Sequence, residues 1–187
     1  MEGLNILKKD ILSDKKYLLE LVSYELNGVL VNREVYHRKE SAAALLIDKK
    51  KGKVYLTQQF RLPVYLTEKS NEQLIECCAG MIEKGETPAE CMIREIEEEM
   101  GYRVNSVEKI AEAYYSPACL TEKGHLFISY ITPEMKVKNG GGIEDEGEHI
   151  NTIEFTAEEL KHKLKNAAFK DAKTLILIQH ALLYNLI

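Results

Sequence analysis

The segment 87–101 constrains the fold of this 187-residue chain more than any other. Thr87 is a favourable N-cap, Pro88 suits the first helical position, and Glu90 completes a capping box. Gly101 can adopt the left-handed conformation that ends a helix. Between these limits, apolar side chains recur at helical spacing on Ala89, Met92, Ile93, Ile96 and Met100. The sequence therefore predicts an amphipathic helix with one buried face.

The same helix carries a cluster of carboxylates. Glu95, Glu98 and Glu99 lie at positions i, i+3 and i+4, so they share one face, whereas Glu97 points elsewhere and is expected to be solvated. Like charges this close cost about 0.2–0.5 kcal/mol per pair even when exposed. Either some of these groups take up protons or a cation lies among them, and carboxylate oxygens favour Mg²⁺, Mn²⁺ or Ca²⁺ over Zn²⁺. A merely solvated acidic face is the alternative.

One long pattern joins the helix to the loop that precedes it. The pattern is G-x5-E-x7-R-E-U-x-E-E-x-G-U, where U is a bulky apolar residue. It is filled without a gap by Gly80, Glu86, Arg94, Glu95, Ile96, Glu98, Glu99 and Gly101, with Tyr102 at the last position. On this motif the chain resembles the Nudix hydrolase superfamily, whose fold is an α/β/α sandwich around a mixed sheet.

The remaining periodicity agrees with that fold class. Alternating residues over 17–37, interrupted by Asn27-Gly28, predict an antiparallel hairpin. Further strands are predicted at 42–47, 54–59, 74–78, 104–115, 126–131 and 150–155, with a polar loop at 63–73. One helix is predicted from Thr156, and another from near Asp171 with a stripe of Leu175, Ile178, Leu182 and Leu186. We expect an N-terminal β arm over residues 1–38, used for dimerisation, and a Nudix hydrolase domain over 39–187.

The resemblance implies roles for individual residues. The metal ligands would be Glu95, Glu99, the backbone carbonyl of Ala79 and Glu146 on an acidic loop, with Mg²⁺ as the cofactor and Mn²⁺ as a substitute. The catalytic residues would be Glu146, Glu99 and Glu98, and Glu98 could instead bind a further ion. Arg94 would orient the neighbouring carboxylates, and Glu86 would fix the loop. In such a site the cations offset the charge of a diphosphate and the protein positions the reacting groups.

Segments outside the motif resemble the nucleotide-sugar branch of the superfamily, and most closely the GDP-mannose pyrophosphatases. They are 58–63, 115–122, 140–146, 33–36 and 170–174. By this match the substrate-binding residues would be Arg33, Glu34, Arg61, Gly80, Met81, Glu122, Asp145 and Lys173. The loop before Glu122 departs from the branch, because Ala118 and Cys119 stand where glycines are usual, which leaves the sugar open. GDP-mannose is the first expectation and ADP-ribose the second. A Nudix-like nucleotide sensor without turnover is a third reading, although such proteins typically lose glutamates of the motif.

Composition excludes other classes. Lys plus Arg total 25 and Asp plus Glu total 30, a net charge of −5, so no broad basic surface for nucleic acid is expected. No run of about 18 apolar residues is present, so no membrane span is expected. The four cysteines lack C-x-x-C spacing and are expected to be free thiols in the cytoplasm, with no zinc site. The resemblance also implies a homodimer joined through the N-terminal arm.

Overall fold

The structure is a computed structural model that describes residues 3–142 and 149–187. These residues form two compact units. The first comprises the described residues up to Glu40 together with Glu112–Gly124, and the second comprises Ser41–Ala111 and the described part of His125–Ile187.

The first unit is built on a three-stranded antiparallel sheet in the order β1-β2-β3. Its strands are β1 (Leu4–Ser13), β2 (Leu19–Leu26) and β3 (Val29–Tyr36). Asn27 and Gly28 both have positive φ, 53° and 78°, as a two-residue hairpin turn of the primed type requires, so the predicted hairpin is confirmed. β1 was not predicted. The segment 112–124 joins this unit through Tyr36, whose N–H donates to the Cys119 carbonyl at 2.8 Å and whose carbonyl accepts from the Thr121 N–H at 3.3 Å.

The remaining strands are β4 (Ser41–Asp48), β5 (Lys53–Gln59), β6 (Leu74–Glu76), β7 (Cys78–Met81), β8 (Glu108–Tyr114), β9 (Lys123–Tyr130) and β10 (Asn151–Thr156). They form a mixed sheet in the order β10-β5-β4-β9-β8, in which β6 also pairs with β5 and β7 with β4. Most of this sheet belongs to the second unit, and only the last three residues of β8 and the first two of β9 are counted with the first. The helices are α1 (Leu62–Glu68), α2 (Pro88–Met100), α3 (Ala157–Lys165) and α4 (Ala172–Leu183), with a short 3₁₀ turn at Pro133–Met135.

β4 shows how the three layers arise. All eight of its residues are buried, and successive side chains of a strand point to opposite faces of the sheet. Ala42, Ala44 and Leu46 face one apolar cluster, which α2 completes with Cys91, Met92, Ile96 and Met100. Ala43, Leu45 and Ile47 face the other, which α3 and α4 complete with Leu160, Leu177, Ile178 and Ala181. The sheet is thus covered by helices on both faces, and the predicted α/β/α sandwich with an N-terminal antiparallel β arm is confirmed.

The helix ends follow the sequence signals closely. Thr87 and Thr156 each accept from the backbone N–H of a glutamate three residues on, and that glutamate's side chain accepts in return from the N-cap backbone. α2 ends at Gly101, which has a φ of 73°. The polar loop predicted at 63–73 is wrong over its first half, where α1 lies. Of the described helices, none is both long and apolar enough to span a membrane.

Candidate active site

The turn from β7 into α2 brings two glutamates of the motif against one stretch of backbone. The Oε2 of Glu99 accepts from the backbone N–H of Ala79 at 3.2 Å, and the Glu99 residue is only 4% exposed. A Cβ built on Gly80 would overlap the carboxylate of Glu95. Glycine at position 80 is therefore what allows the Glu95 carboxylate to lie against β7, beside the buried Glu99.

Arg94 holds the other carboxylates of the cluster. Its Nε donates to Oε1 of Glu86 at 3.0 Å, and its Nη1 donates to Glu95 at 2.8 Å and to Glu98 at 2.9 Å. This guanidinium lowers the pKa of Glu86, chiefly through the hydrogen bond. Glu86 also accepts from the backbone N–H of Glu83 at 3.0 Å, which fastens the loop before the helix. Glu97, in contrast, pairs with the exposed Arg103 at 2.9 Å.

The cluster fits a divalent cation by its donor chemistry. One guanidinium faces three carboxylates, and Glu99 adds a fourth, so the cluster keeps a net negative charge. Its donors are hard carboxylate oxygens beside a backbone strand, the set that small divalent cations prefer. In the described ranges 3–142 and 149–187, no three His, Cys, Asp or Glu side chains are gathered closely enough to hold an ion alone. A complete coordination shell therefore needs backbone, water or substrate oxygens, or a further side chain.

The buried thiols near this cluster are protonated at physiological pH. Burial, and after it the Glu99 carboxylate, raises the pKa of Cys78 well above its ordinary value. Burial also raises the pKa of Cys91 to about 12. A neutral thiol is a poor nucleophile and a poor metal ligand, so these cysteines serve as small apolar groups of the core.

A second charged cluster in the same unit gathers residues from three elements. Arg61, at the start of α1, donates through Nε to Oε2 of Glu76 at 2.7 Å. Lys173 on α4 donates to Oδ1 of Asp171 at 2.6 Å, and its Nζ lies 3.8 Å from Oε1 of Glu76. Two residues predicted to bind substrate, Arg61 and Lys173, thus share the carboxylate of Glu76.

Glu76 and Asp171 were not predicted as site residues. Glu76 is 4% exposed, and it interrupts the apolar run Leu74-Ile75-Glu76-Cys77-Cys78. A single charge inside a buried strand needs a partner of opposite charge. This interruption of the apolar run is the sequence feature that could have identified Glu76. Asp171 was predicted as a helix start within the segment 170–174, and it is one, since its side chain accepts from the Thr174 N–H.

The carboxyl end of α2 is fixed by glycines that the motif alone does not explain. The N–H of Gly141 donates to the carbonyl of Glu99 at 2.9 Å, and the N–H of Ile150 donates to the carbonyl of Gly141 at 3.2 Å. A Cβ on Gly140 would overlap that same Glu99 carbonyl. Gly140 and Gly141 therefore contact the end of the helix that carries the acidic cluster, and Ile150 is bound to Gly141.

The other predicted site residues are divided between the two units. Arg33 and Glu34 are exposed on β3 in the first unit. Glu122 belongs to the same unit, where Arg38 lies 3.6 Å from its carboxylate. Asp145 and Glu146 fall outside the described residues. In the second unit the structure brings Gly80 and Ala79 to Glu95 and Glu99, and places Met81 next in the strand, where its carbonyl lies 3.5 Å from Nη2 of Arg94.

Known proteins with similar sequences cover almost the whole chain. A GDP-mannose pyrophosphatase of Pectobacterium atrosepticum is 38% identical over 185 residues, covering 96% of this chain and 94% of that protein. One from Cronobacter sakazakii is 38% identical over 183 residues, covering 95% and 94%. One from Yersinia enterocolitica is 36% identical over 182 residues, covering 97% and 94%.

The fold has a solved counterpart. The crystal structure of an ADP compounds hydrolase superposes with a TM-score of 0.77 at 18% identity, covering 95% of this chain and 91% of that one. The sequence profile of the NUDIX domain family matches residues 37–177, from the end of β3 into α4. Because the motif is complete, the α/β/α sandwich is present and the family profile matches most of the sequence, the chain belongs to the Nudix family.

Proposed function

We propose that the chain hydrolyses the diphosphate bond of a nucleoside diphosphate sugar, converting GDP-mannose to GMP and mannose 1-phosphate. The observation that carries the proposal is the convergence of Glu95 and Glu99 on the Ala79–Gly80 backbone. That arrangement suits a divalent cation facing an anionic substrate. The relatives described as GDP-mannose pyrophosphatases, at 36–38% identity, support the choice of sugar nucleotide.

The cofactor in this proposal is Mg²⁺, with Mn²⁺ as a substitute. Glu95, Glu99, the carbonyl of Ala79 and Glu146 would hold it. When bound, the cation offsets the charge of the diphosphate and acidifies water. Arg94 supports this set because it fixes the carboxylate of Glu95 and ties it to the preceding loop through Glu86.

The proposed catalytic residues are Glu146, Glu99 and Glu98. Attack of water on a phosphorus atom releases a proton, which a nearby carboxylate has to accept. Glu98 is 29% exposed in its side chain and is held by Arg94, so it is within reach of solvent. Glu99 is buried and bound to the Ala79 N–H, which suits a ligand better than a base. Glu146 is the proposed base on grounds of the sequence match.

Substrate binding is assigned to eight residues. Their shared feature is that they offer charge or close backbone approach to phosphate, sugar or base, and they are Arg33, Glu34, Arg61, Gly80, Met81, Glu122, Asp145 and Lys173. Arg61 can bind phosphate oxygens in a planar, two-pronged manner. Lys173 supplies a point charge, and Glu34 can accept hydrogen bonds from the guanine N1–H and amino group.

Assembly and location are part of the same proposal. Residues 1–38 form a dimerisation arm and 39–187 the hydrolase domain, so the working enzyme is a homodimer. The apolar residues Leu4, Ile6, Leu7, Ile11 and Leu12 on β1 are each 48–64% exposed, which suits a strand that a second copy covers. The proposed compartment is the cytoplasm, which suits a chain whose four cysteines are all free thiols.

The test is turnover of a panel of nucleotide sugars with Mg²⁺, followed by ³¹P NMR of the products. GDP-mannose should give the highest kcat/KM, and ADP-ribose in first place would replace the proposed substrate. No turnover of any member would favour a sensor that binds nucleotides without hydrolysis.

A pair of variants on α2 tests the metal role. Glu99→Gln should lower kcat by at least 100-fold, because it removes a ligand charge from the cluster. Glu97→Gln is the matched control, since Glu97 lies on the same helix but pairs with Arg103, and it should keep normal activity. Equal rates for the two variants would refute the role given to Glu99.

A further inference from the structure

The buried carboxylate of Glu76 contacts two cationic side chains that are far apart in the sequence of the second unit. Arg61 follows β5, and Lys173 lies in the first turn of α4. The contact from Arg61 uses Nε at 2.7 Å, and Nζ of Lys173 lies 3.8 Å from the other carboxylate oxygen. Glu76 lies between them on β6 and is 4% exposed.

The position of Lys173 is fixed from a second direction. The N–H of Cys77, the residue after Glu76, donates to Oγ1 of Thr174 at 2.7 Å. That hydroxyl donates in turn to Oδ2 of Asp171 at 2.7 Å, and Oδ1 of Asp171 accepts from Lys173 at 2.6 Å. The first turn of α4 is therefore bound to the strand that carries Glu76. Although burial alone would lower the pKa of Lys173, the neighbouring groups, chiefly the Asp171 carboxylate, raise it overall, so the side chain is charged.

We infer that Glu76 is a positioning residue. It holds Arg61 and Lys173 at a fixed distance from each other that suits the two phosphate groups of the substrate. This inference rests on the proposed function, because that proposal assigns both cations to substrate binding. A planar guanidinium held through Nε has its plane fixed. A carboxylate that contacts both cations also limits the distance between them. The two phosphoryl groups of a diphosphate are covalently linked, so the distance between them is fixed. Two cations held at a fixed distance can therefore bind both groups with little reorganisation.

The direction in which KM changes when Glu76 is neutralised distinguishes this role from simple charge compensation. If Glu76 only offset positive charge, its neutral replacement would leave the cations more attractive to phosphate and would lower KM. If Glu76 positions the cations, the same replacement frees both side chains and raises KM, with kcat changed much less, because ground-state and transition-state binding are lost together.

The experiment compares Glu76→Gln with the wild type in GDP-mannose turnover with Mg²⁺. We expect KM to rise roughly tenfold, equivalent to about 1.4 kcal/mol of binding. Glu154→Gln is the matched control, since Glu154 pairs with Lys53 at 3.2 Å in the same sheet and is 49% exposed in its side chain. It should leave KM unchanged. An unchanged or lower KM in Glu76→Gln overturns the inference.

A double-mutant background shows whether Glu76 acts through the two cations. In Arg61→Ala/Lys173→Met, adding Glu76→Gln should raise KM no further, whereas a merely structural role would add its full effect. The same increase in both backgrounds contradicts the positioning role. If Glu76→Gln does not fold, Glu76→Asp takes its place, because it keeps the charge but is too short to contact both cations, and the same comparison applies.

A binding measurement separates this inference from the proposed function. Wild type that turns over no nucleotide sugar contradicts the proposed function. In that case the positioning role is tested by measuring the affinity for inorganic pyrophosphate with Mg²⁺ by titration calorimetry. Glu76→Gln should weaken its binding roughly tenfold relative to the wild type and to Glu154→Gln. Equal affinities, or no binding by the wild type, overturn the positioning role.

Discussion

At the scale of single residues, Gly80 sets the geometry of the acidic cluster. No Cβ fits there because the Glu95 carboxylate fills the space. We expect Gly80→Ala to displace Glu95 and lower kcat about 100-fold, since small misplacements of catalytic groups have effects of that size. Steady-state kinetics on the folded variant measures this fall in kcat.

Gly52→Ala serves as the control for Gly80→Ala. Gly52 has a φ of 63° and open space around its Cα, so alanine there should cost about 1 kcal/mol of stability through backbone strain and leave activity unchanged. Normal activity in Gly80→Ala would mean that Glu95 does not need its observed place.

The Glu86 carboxylate predicts a pH dependence of stability. The hydrogen bond from Arg94 lowers its pKa in the folded state. A group with a depressed folded pKa stabilises the fold at pH above its unfolded pKa, and that contribution is lost as pH falls through the folded value. The difference in Tm between wild type and Glu86→Gln should therefore be largest near neutral pH and shrink as the pH falls below the ordinary pKa of a glutamate. A difference independent of pH would contradict the Arg94 assignment.

At the residue scale, sequence reasoning named the acidic cluster but not its full surroundings. Glu95 and Glu99 can be predicted from the sequence because helical spacing places them on one face of α2. Glu76 joins Arg61 and Lys173 only through strand pairing and the docking of α4, which local patterns do not encode. The contacts of Gly140 and Gly141 with the end of α2 were missed for the same reason.

At the scale of elements, α2 is the part of the fold that local sequence determines best. Both of its ends were predicted, because capping box and C-terminal glycine are local signals. α1 was missed, since it has no side-chain cap and no buried residue to give a period. β1 was missed because its register shifts between Ile6 and Lys8 and between Ile11 and Ser13 break the alternation.

The predicted stripe on α4 was offset for a physical reason. The buried residues are Thr174, Leu177, Ile178 and Ala181, while Leu175 and Leu182 are only partly buried. A polar residue was not expected in the core. Thr174 is tolerated there because its hydroxyl donates to Asp171 and accepts from Cys77.

The caps of α2 and α3 predict matched losses of stability. Thr87→Ala and Thr156→Ala each remove a hydroxyl that accepts from the backbone at a helix start. Each should lower the free energy of unfolding by about 1 kcal/mol. Urea denaturation measures this. A loss near zero for Thr87→Ala would show that the packing of α2, rather than its cap, determines where the helix begins.

At the scale of the whole molecule, the exposed apolar strand β1 predicts self-association. Light scattering should give twice the chain mass of 21.3 kDa at micromolar concentration. Ile11→Glu places a charge on a residue that is 64% exposed on β1 and should yield monomers. Leu183→Glu, at the end of α4 and 74% exposed, should not. A monomeric wild type would contradict the proposed dimer.

The proposed function depends on the carboxylates of α2 holding a divalent cation against the substrate diphosphate. Anomalous diffraction from crystals grown with Mn²⁺ and a nonhydrolysable GDP-mannose analogue tests it most directly. We expect a manganese peak bonded to Glu95 and Glu99 and to an oxygen of the analogue's diphosphate. A bound analogue with no manganese at these two carboxylates would contradict it.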